Sequence, residues 1–259
     1  MKLTCYTVDA FTDRVFGGNP AAVCPLDEWL DGTVMQNIAT ENNLSDTAFF
    51  VSDGDGYHIR WFTPATEIEL CGHATLASAY VIQRFIAPEK TDLRFRALAG
   101  TLRVTREDGL LTLDFPSRPP LPCHAPAKLI QGLGEAPSEI YKARDYVAVF
   151  PDEDAVRSLQ PDMAALAAVD MFGLIVTARG RDCDFVSRFF APGHGVNEDP
   201  VTGSAHCSLI PFWAERLGKT KLHARQVSKR GGELFCELRG DRVNISGHAV
   251  LYSENSVYI

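Results

Sequence analysis

No run of about 18 residues in the 259-residue chain is apolar and uncharged enough to cross a bilayer as a helix. The opening residues, Met1-Lys2-Leu3-Thr4-Cys5-Tyr6-Thr7-Val8, lack the charged segment followed by a long apolar stretch that marks a signal peptide. No role in a membrane is expected. CxxC pairs are absent too. The seven cysteines, Cys5, Cys24, Cys71, Cys123, Cys183, Cys207 and Cys236, are scattered and odd in number. That pattern excludes a dense disulfide scaffold, argues against a structural zinc site, and points to a reducing, cytoplasmic compartment. Positive charge is in short supply: 25 Lys and Arg against 33 Asp and Glu leave a net charge of −8. A broad nucleic-acid face is therefore not expected, whereas a local site for a small anionic metabolite is compatible with the balance.

What remains is ordinary globular material, 46% hydrophobic and 22% charged. The length suits one large domain or two lobes of about 100–150 residues each. Five of the fifteen prolines fall between Pro116 and Pro126, a stretch that cannot continue a helix or a central strand. It predicts a linker, with an N-terminal lobe over 1–117 and a C-terminal lobe over 118–259, from which the last strand can return to the first lobe.

In the first lobe, strands are expected at Leu3–Val8, Ala21–Cys24, Thr47–Val51 and His58–Phe62, with a turn at Gly17-Gly18-Asn19-Pro20. Helices are expected at Gly32–Glu41 and Ala74–Arg84, and a hairpin pairs Leu102–Thr105 with Leu110–Phe115. The second lobe offers elements at Tyr146–Phe150, Asp154–Leu159, Gly173–Thr177 and Asp184–Phe189, a helix at Ser204–Leu217, and strands at Leu234–Leu238 and Val243–Ser246. Strands outnumber helices and hairpins join many of them, so mixed sheets with helices are favoured over a doubly wound parallel sheet.

Two segments resemble each other. Arg60-Trp61-Phe62-Thr63-Pro64 leads to Cys71-Gly72-His73-Ala74 and a helix, and Arg188-Phe189-Phe190-Ala191-Pro192 leads to Thr202-Gly203-Ser204-Ala205 and a helix. The pattern reads as an internal duplication. A glycine opening a helix leaves unpaired backbone N–H groups at the positive end of the helix dipole, a place that can hold a carboxylate without Lys or Arg. The plainer explanation is that both glycines permit tight turns.

Candidate chemistry gathers beside these helix starts. Asp46, in Asn43-Leu44-Ser45-Asp46-Thr47, and Asp199, in Glu198-Asp199-Pro200, would each pass for a turn or capping residue alone, and His73 for a structural histidine. Together, an acid, an imidazole and a second acid suit proton transfer between carbon and a base, with Phe49, Trp61 and Phe62 close enough in sequence to supply apolar surroundings. Cys71, at a helix start, is a candidate thiol base or nucleophile. A two-thiol racemase would need its second thiol at the equivalent position, which holds Thr202. Cys207, one turn further on, reads as packing.

Asp9-Ala10-Phe11, Gly18-Asn19-Pro20-Ala21-Ala22-Val23, Asn43-Leu44-Ser45-Asp46-Thr47-Ala48-Phe49, Cys71-Gly72-His73-Ala74-Thr75-Leu76-Ala77 and Glu198-Asp199-Pro200-Val201-Thr202-Gly203-Ser204-Ala205 together resemble the PhzF family of phenazine-biosynthesis-like proteins. The resemblance spans both lobes. It implies a diaminopimelate-epimerase-like α+β fold: two pseudo-symmetric lobes, each a mixed sheet wrapped around a central helix, with the active site between them. It also implies an isomerase without cofactor or metal, usually a homodimer, whose best-understood member moves a proton between carbons of dihydro-3-hydroxyanthranilate. Carried over residue by residue, the proton-moving carboxylate falls on Asp46, where the family generally has Glu. His73 and Asp199 match the assisting acid/base positions, and Gly72, Gly203 and Ser204 match the groups that hold substrate. Asn19 is a further candidate for orienting it. Asp in place of Glu withdraws the carboxylate oxygens by up to about 1.5 Å, and a misplacement of about 1 Å can cost on the order of a hundredfold in rate.

The expected activity is a cofactor-independent isomerase or epimerase acting on a small carboxylated metabolite. Its rivals are a non-catalytic binding protein that keeps the cleft, a thiol-dependent racemase using Cys71, and, ranked last, zinc binding through Cys71, His73 and His206.

Overall fold

In the computed structural model, which describes all 259 residues, the chain forms two units, Met1–Phe115 with Asn244–Ile259, and Pro116–Val243. The first unit is built from β1 (Lys2–Ala10), β2 (Asn19–Pro25), α1 (Gly32–Asn42), β3 (Asp46–Asp53), β4 (Gly56–Phe62), β5 (Glu67–Ile68), α2 (Gly72–Val81), β6 (Asp92–Ala97), β7 (Gly100–Glu107) and β8 (Leu110–Pro116). Its sheet is mixed. The β1/β2 pair is antiparallel, β2/β3 parallel, β3/β4 antiparallel, β4/β6 parallel, and β6/β7 and β7/β8 antiparallel. The outer edge of β1 is covered by the end of the chain, which pairs antiparallel from Lys2 opposite Tyr258 to Ala10 opposite Ala249.

The two helices of this unit differ because their sequences differ. α1 is amphipathic: it buries Met35, Ile38 and Ala39 and packs with Leu3, Cys5, Ala22, Cys24, Phe49 and Phe62 of the sheet. It starts at Asp31, whose side chain accepts from the Thr33 N–H at 2.8 Å, and stops at Asn43 in the left-handed conformation. α2 has no polar stripe. His73, Ala74, Thr75, Leu76, Ala77, Ser78, Ala79 and Val81 are all buried, and the helix packs against β1, β2, β3 and β7 and against the terminal strand. Small side chains let these strands wrap it closely. Its hydroxyls are absorbed within the helix, Ser78 donating to the Ala74 carbonyl at 2.7 Å. The α-helix ends at Val81 and continues as a π turn over Ile82–Ile86, where the sequence had predicted unbroken helix to Arg84.

The second unit contains β9 (Leu121–Pro122), α3 (Ala127–Leu133), β10 (Glu139–Lys142), β11 (Tyr146–Val149), α4 (Glu153–Ser158), α5 (Met163–Ala167), β12 (Leu174–Arg179), β13 (Phe185–Ala191), β14 (Val196–Asp199), α6 (Gly203–Leu217), β15 (Lys221–Gln226), β16 (Gly232–Arg239) and the start of β17 (Arg242–Gly247). The chain then returns to the first unit as β18 (Ala249–Tyr258). Here β11/β12 is parallel, β12/β13 antiparallel, β13/β15 parallel and β15/β16 antiparallel. That is the order of directions from β2 to β7. α6 is the long buried helix of this unit, with residues from Ala205 to Ala214 inside.

The duplicated sequence motif occupies equivalent places in the two sheets. Arg60 on β4 forms an ion pair with Glu67 on β5 at 2.7 Å, and Arg188 on β13 forms one with Glu198 on β14 at 2.7 Å. Each guanidinium also lies over the aromatic ring two residues further on, Phe62 at 5.2 Å and Phe190 at 4.9 Å. Four residues after each Glu comes the residue before a buried helix, Cys71 and Thr202.

Candidate active site

Asp46 is the first residue of β3, and the parallel register sets it opposite Ala21 of β2. Asn19 opens β2 on the same side, fully buried; it belongs to the strand and not to the turn before it. α2 begins next to this sheet end, with Cys71 in extended conformation just before the helix and His73 in its first turn. Register and helix start therefore bring together four side chains from three separate segments.

Their geometry is tight. Cys71 Sγ donates to Asp46 Oδ2 at 3.3 Å, and His73 Nε2 lies 3.4 Å from the same oxygen. Asn19 Nδ2 is 3.3 Å from His73 Nδ1, with Cys71 Sγ at 3.5 Å. When Asn19 donates to Nδ1, the imidazole carries its proton on Nε2, which is near Asp46 Oδ2 but makes no aligned hydrogen bond to it. Asp46, Cys71 and His73 are 7%, 6% and 5% exposed. Burial pushes the His73 pKa down to about 3, so the ring is neutral at ordinary pH. Neither Gly72 nor Gly203 is at positive φ. Backbone conformation does not demand glycine at either helix start, and what it supplies there is bare backbone.

The second unit holds Asp199, Gly203 and Ser204. Asp199 ends β14 and accepts a hydrogen bond from the Thr202 hydroxyl. Buried Gln226 clamps the intervening loop: its Oε1 accepts from the Thr202 N–H at 2.8 Å and its Nε2 donates to the Asp199 carbonyl at 2.7 Å. Ser204 Oγ, in the first turn of α6, accepts from Arg144 Nη2 at 3.0 Å. Arg144 is paired with buried Asp145 at 2.8 Å and lies 4.2 Å from the ring centre of Phe172. Arg144 was missed in the sequence, which gave no signal for it: a single Arg-Asp before a strand says nothing of a serine sixty positions on. The start of α6 therefore has a guanidinium at Ser204, its charge balanced by Asp145, in addition to bare backbone.

Further residues have defined places. His206 is fully buried with Nδ1 2.9 Å from the Thr202 carbonyl oxygen, and burial pushes its pKa down to about 4. The donor group gathered within 4.8 Å consists of Asp46, Cys71 and His73, without His206. The Cys207 thiol is pushed up to about 11 by burial, as fits a packing role.

The phenazine biosynthesis-like protein family (PhzC-PhzF) matches residues 8–255. The chain belongs to the PhzF family. It is 52% identical, over the whole of both chains, to an uncharacterised isomerase of Pseudomonas aeruginosa. The crystal structure of a PhzF-family phenazine biosynthesis protein from Enterococcus faecalis superimposes with a TM-score of 0.98 at 48% identity, with both chains fully covered. A hydroxyproline epimerase from Agrobacterium vitis shares the fold alone, with a TM-score of 0.64 at 10% identity over 99% of this chain and 92% of that one. PhzF membership and isomerase-named relatives place the chain among the isomerases.

Proposed function

We propose that the chain moves a carbon-bound proton on a small carboxylated metabolite, without a bound cofactor. The observation that carries this reading is the meeting of Asp46 and His73: a carboxylate from the end of a strand and a neutral imidazole from a helix start lie 3.4 Å apart, both buried. In this reading Asp46 removes and returns the proton. His73, held by Asn19, passes a proton to or from the substrate's polar groups, and Asp199 assists in the same way. The substrate-holding groups in this reading are the N–H groups that open α2 at Gly72 in the first unit, and those that open α6 at Gly203, with Ser204, in the second; such helix starts hold a carboxylate and meet negative charge as it develops. Arg144, its charge balanced by Asp145, donates to Ser204 and fixes the direction of that hydroxyl.

The shorter side chain at position 46 still has Cys71 and His73 beside its Oδ2. The test is exposure of the protein to a panel of small carboxylic acids in deuterated water, with deuterium at carbon read by mass spectrometry. Asp46→Asn is expected to lower exchange on the responding acid by about 10²–10⁴-fold, the usual worth of a positioned base. Full exchange in that variant removes Asp46 from the role.

One observation favours a second reading. Cys71 Sγ is 3.3 Å from Asp46 Oδ2, which would allow the thiol to be the group that meets carbon, with Asp46 as its base. Exchange that survives alkylation of Cys71 excludes it. A symmetric two-thiol mechanism finds no support, since the matching residue is Thr202 and its hydroxyl is bonded to Asp199.

A further inference from the structure

We propose that Asp46, Cys71 and His73 form a binding site for one thiophilic divalent transition metal of the zinc class, and that an ion bound there shuts off the isomerase. The inhibitory half rests on the proton-transfer reading above; the binding half stands on the geometry alone.

Three donors of three kinds, a carboxylate oxygen, a sulfur and an imidazole nitrogen, lie within 4.8 Å of one another and are all buried. Tetrahedral zinc with ordinary bond lengths separates O, N and S donors by about 3.3–3.6 Å. The cluster already shows 3.3 Å from sulfur to Oδ2 and 3.4 Å from Nε2 to Oδ2. The third separation, sulfur to imidazole nitrogen, is within 4.8 Å, so admitting an ion at the centre takes a side-chain rotation at Cys71 or His73 and no movement of the backbone. Three protein ligands leave a fourth position for water, the arrangement of open zinc sites. The donor set also selects the metal. A single carboxylate and a thiolate suit zinc, cobalt or copper, whereas calcium and magnesium require several oxygens.

A partner for the ligating histidine is in place as well. A metal-bound imidazole usually donates its second N–H to a carbonyl or carboxylate, and Asn19 sits 3.3 Å from Nδ1. Turning the Asn19 amide over presents its carbonyl oxygen to Nδ1–H and leaves the Nε2 lone pair for the metal. Proton balance is simple: the metal–sulfur bond forms as the Cys71 S–H bond breaks, and that proton goes to solvent. The carboxylate and the neutral imidazole bind without losing more. Partial positive charge at the start of α2 opposes a cation, but two anionic ligands outweigh it. The bound ion occupies Asp46 Oδ2 and His73 Nε2, the two atoms the proposed reaction uses.

The reduced, chelator-stripped full chain is titrated with Co²⁺. One equivalent is expected to saturate it, with a thiolate-to-cobalt charge-transfer band and the visible bands of a tetrahedral ion, both abolished by one equivalent of Zn²⁺. Cys71→Ser, an exchange of one atom, removes the charge-transfer band. His73→Gln weakens binding by about tenfold or more, and Cys123→Ser changes neither. If His73→Gln fails to fold, as judged by circular dichroism, Cys71→Ser decides. Absence of saturable cobalt binding overturns the proposal. So does a band that survives Cys71→Ser and vanishes in Cys24→Ser, which would put the metal on the Cys5–Cys24 thiols, 3.0 Å apart. Deuterium exchange is then measured with and without Zn²⁺. Exchange undiminished by bound metal overturns the inhibitory half. A metal site without any exchange activity leaves the site standing and removes the isomerase reading.

Discussion

Asp46 has no acidic counterpart in the second unit. Thr47 pairs with Phe62 in one sheet and Leu174 with Phe190 in the other, so the position matching Asp46 is Gly173. A Cβ at Gly173 would come within 2.3 Å of Phe189 Cζ and 3.1 Å of Asp145 Oδ1, so that place cannot take a side chain without repacking. The duplicated frame therefore offers its carboxylate at Asp46 in one half and at Asp199 in the other. In the proposed mechanism Asn19, 3.3 Å from His73 Nδ1, acts through the imidazole and is a positioning residue. Asn19→Ala is expected to lower kcat by about tenfold, the worth of one buried hydrogen bond, while KM stays nearly unchanged. Steady-state kinetics on the acid found by deuterium exchange reads that split, and a change confined to KM would assign Asn19 to substrate contact instead. None of this was legible at the residue level beforehand. Asp46, His73 and Asn19 could each be named from the motifs, but their contacts depend on a parallel strand register that no local pattern encodes.

At the scale of elements, the repeated Arg–Glu pair ties each short strand, β5 or β14, to its neighbour just before the buried helix begins. The two pairs differ in burial. The Arg60 and Glu67 side chains are 26% and 28% exposed, whereas Arg188 is 11% exposed and also donates to the Val156 and Leu159 carbonyls at 3.1 and 2.8 Å. Arg188 thus carries α4 as well as β14. Arg188→Ala is expected to cost about 2–4 kcal/mol, because it leaves the Val156 and Leu159 carbonyls without their donor, whereas Glu198, 25% exposed, stays in reach of water. Arg60→Ala should cost about 1 kcal/mol or less. Urea unfolding of the two variants compares them; equal losses would show that burial does not separate the pairs. The starts of α1, α2 and α6 were read from the sequence to within two residues, since a glycine followed by an apolar run is a local signal, whereas the short helices α3 and α5 were not read at all. The end of α2 was not, because nothing local distinguishes the π turn at Ile82–Ile86 from continued helix. The Asp154–Leu159 stretch resolves as helix α4, with Asp152 accepting from the Ala155 N–H at its start.

For the whole molecule, buried histidine links stability to pH. His206 keeps a pKa of about 4 in the fold against 6.5 when unfolded, so between these values the unfolded chain binds the extra proton. Stability from this group is complete above about pH 6.5, declines as pH falls toward 4, and levels below. The loss between pH 7 and pH 5 is about 2 kcal/mol. His206→Gln removes the titrating ring, and its urea midpoint should change less than the native protein's between those two pH values. The remaining response belongs to His73, whose pKa of about 3 links in the same direction, and an unaltered response would show that His206 is not a linked group. The chain end contributes at this scale too, because β18 closes the edge of β1 after the second unit is complete. Unit 1 is therefore discontinuous in sequence.

The amino-acid sequence by itself determined the mixed α/β character, the duplicated strand–loop–helix, the two glycine-led helices and the family. These rest on periodicity, turn residues and short motifs, each expressed within a few neighbouring residues. Tertiary structure alone decided that Cys71 and His73 share one carboxylate oxygen of Asp46, that Arg144 reaches Ser204, and that Glu67 and Glu198 are the partners of the repeated arginines. Those contacts join segments far apart along the chain, and they exist only after strand order and register have been chosen by burying apolar surface on both faces of each sheet.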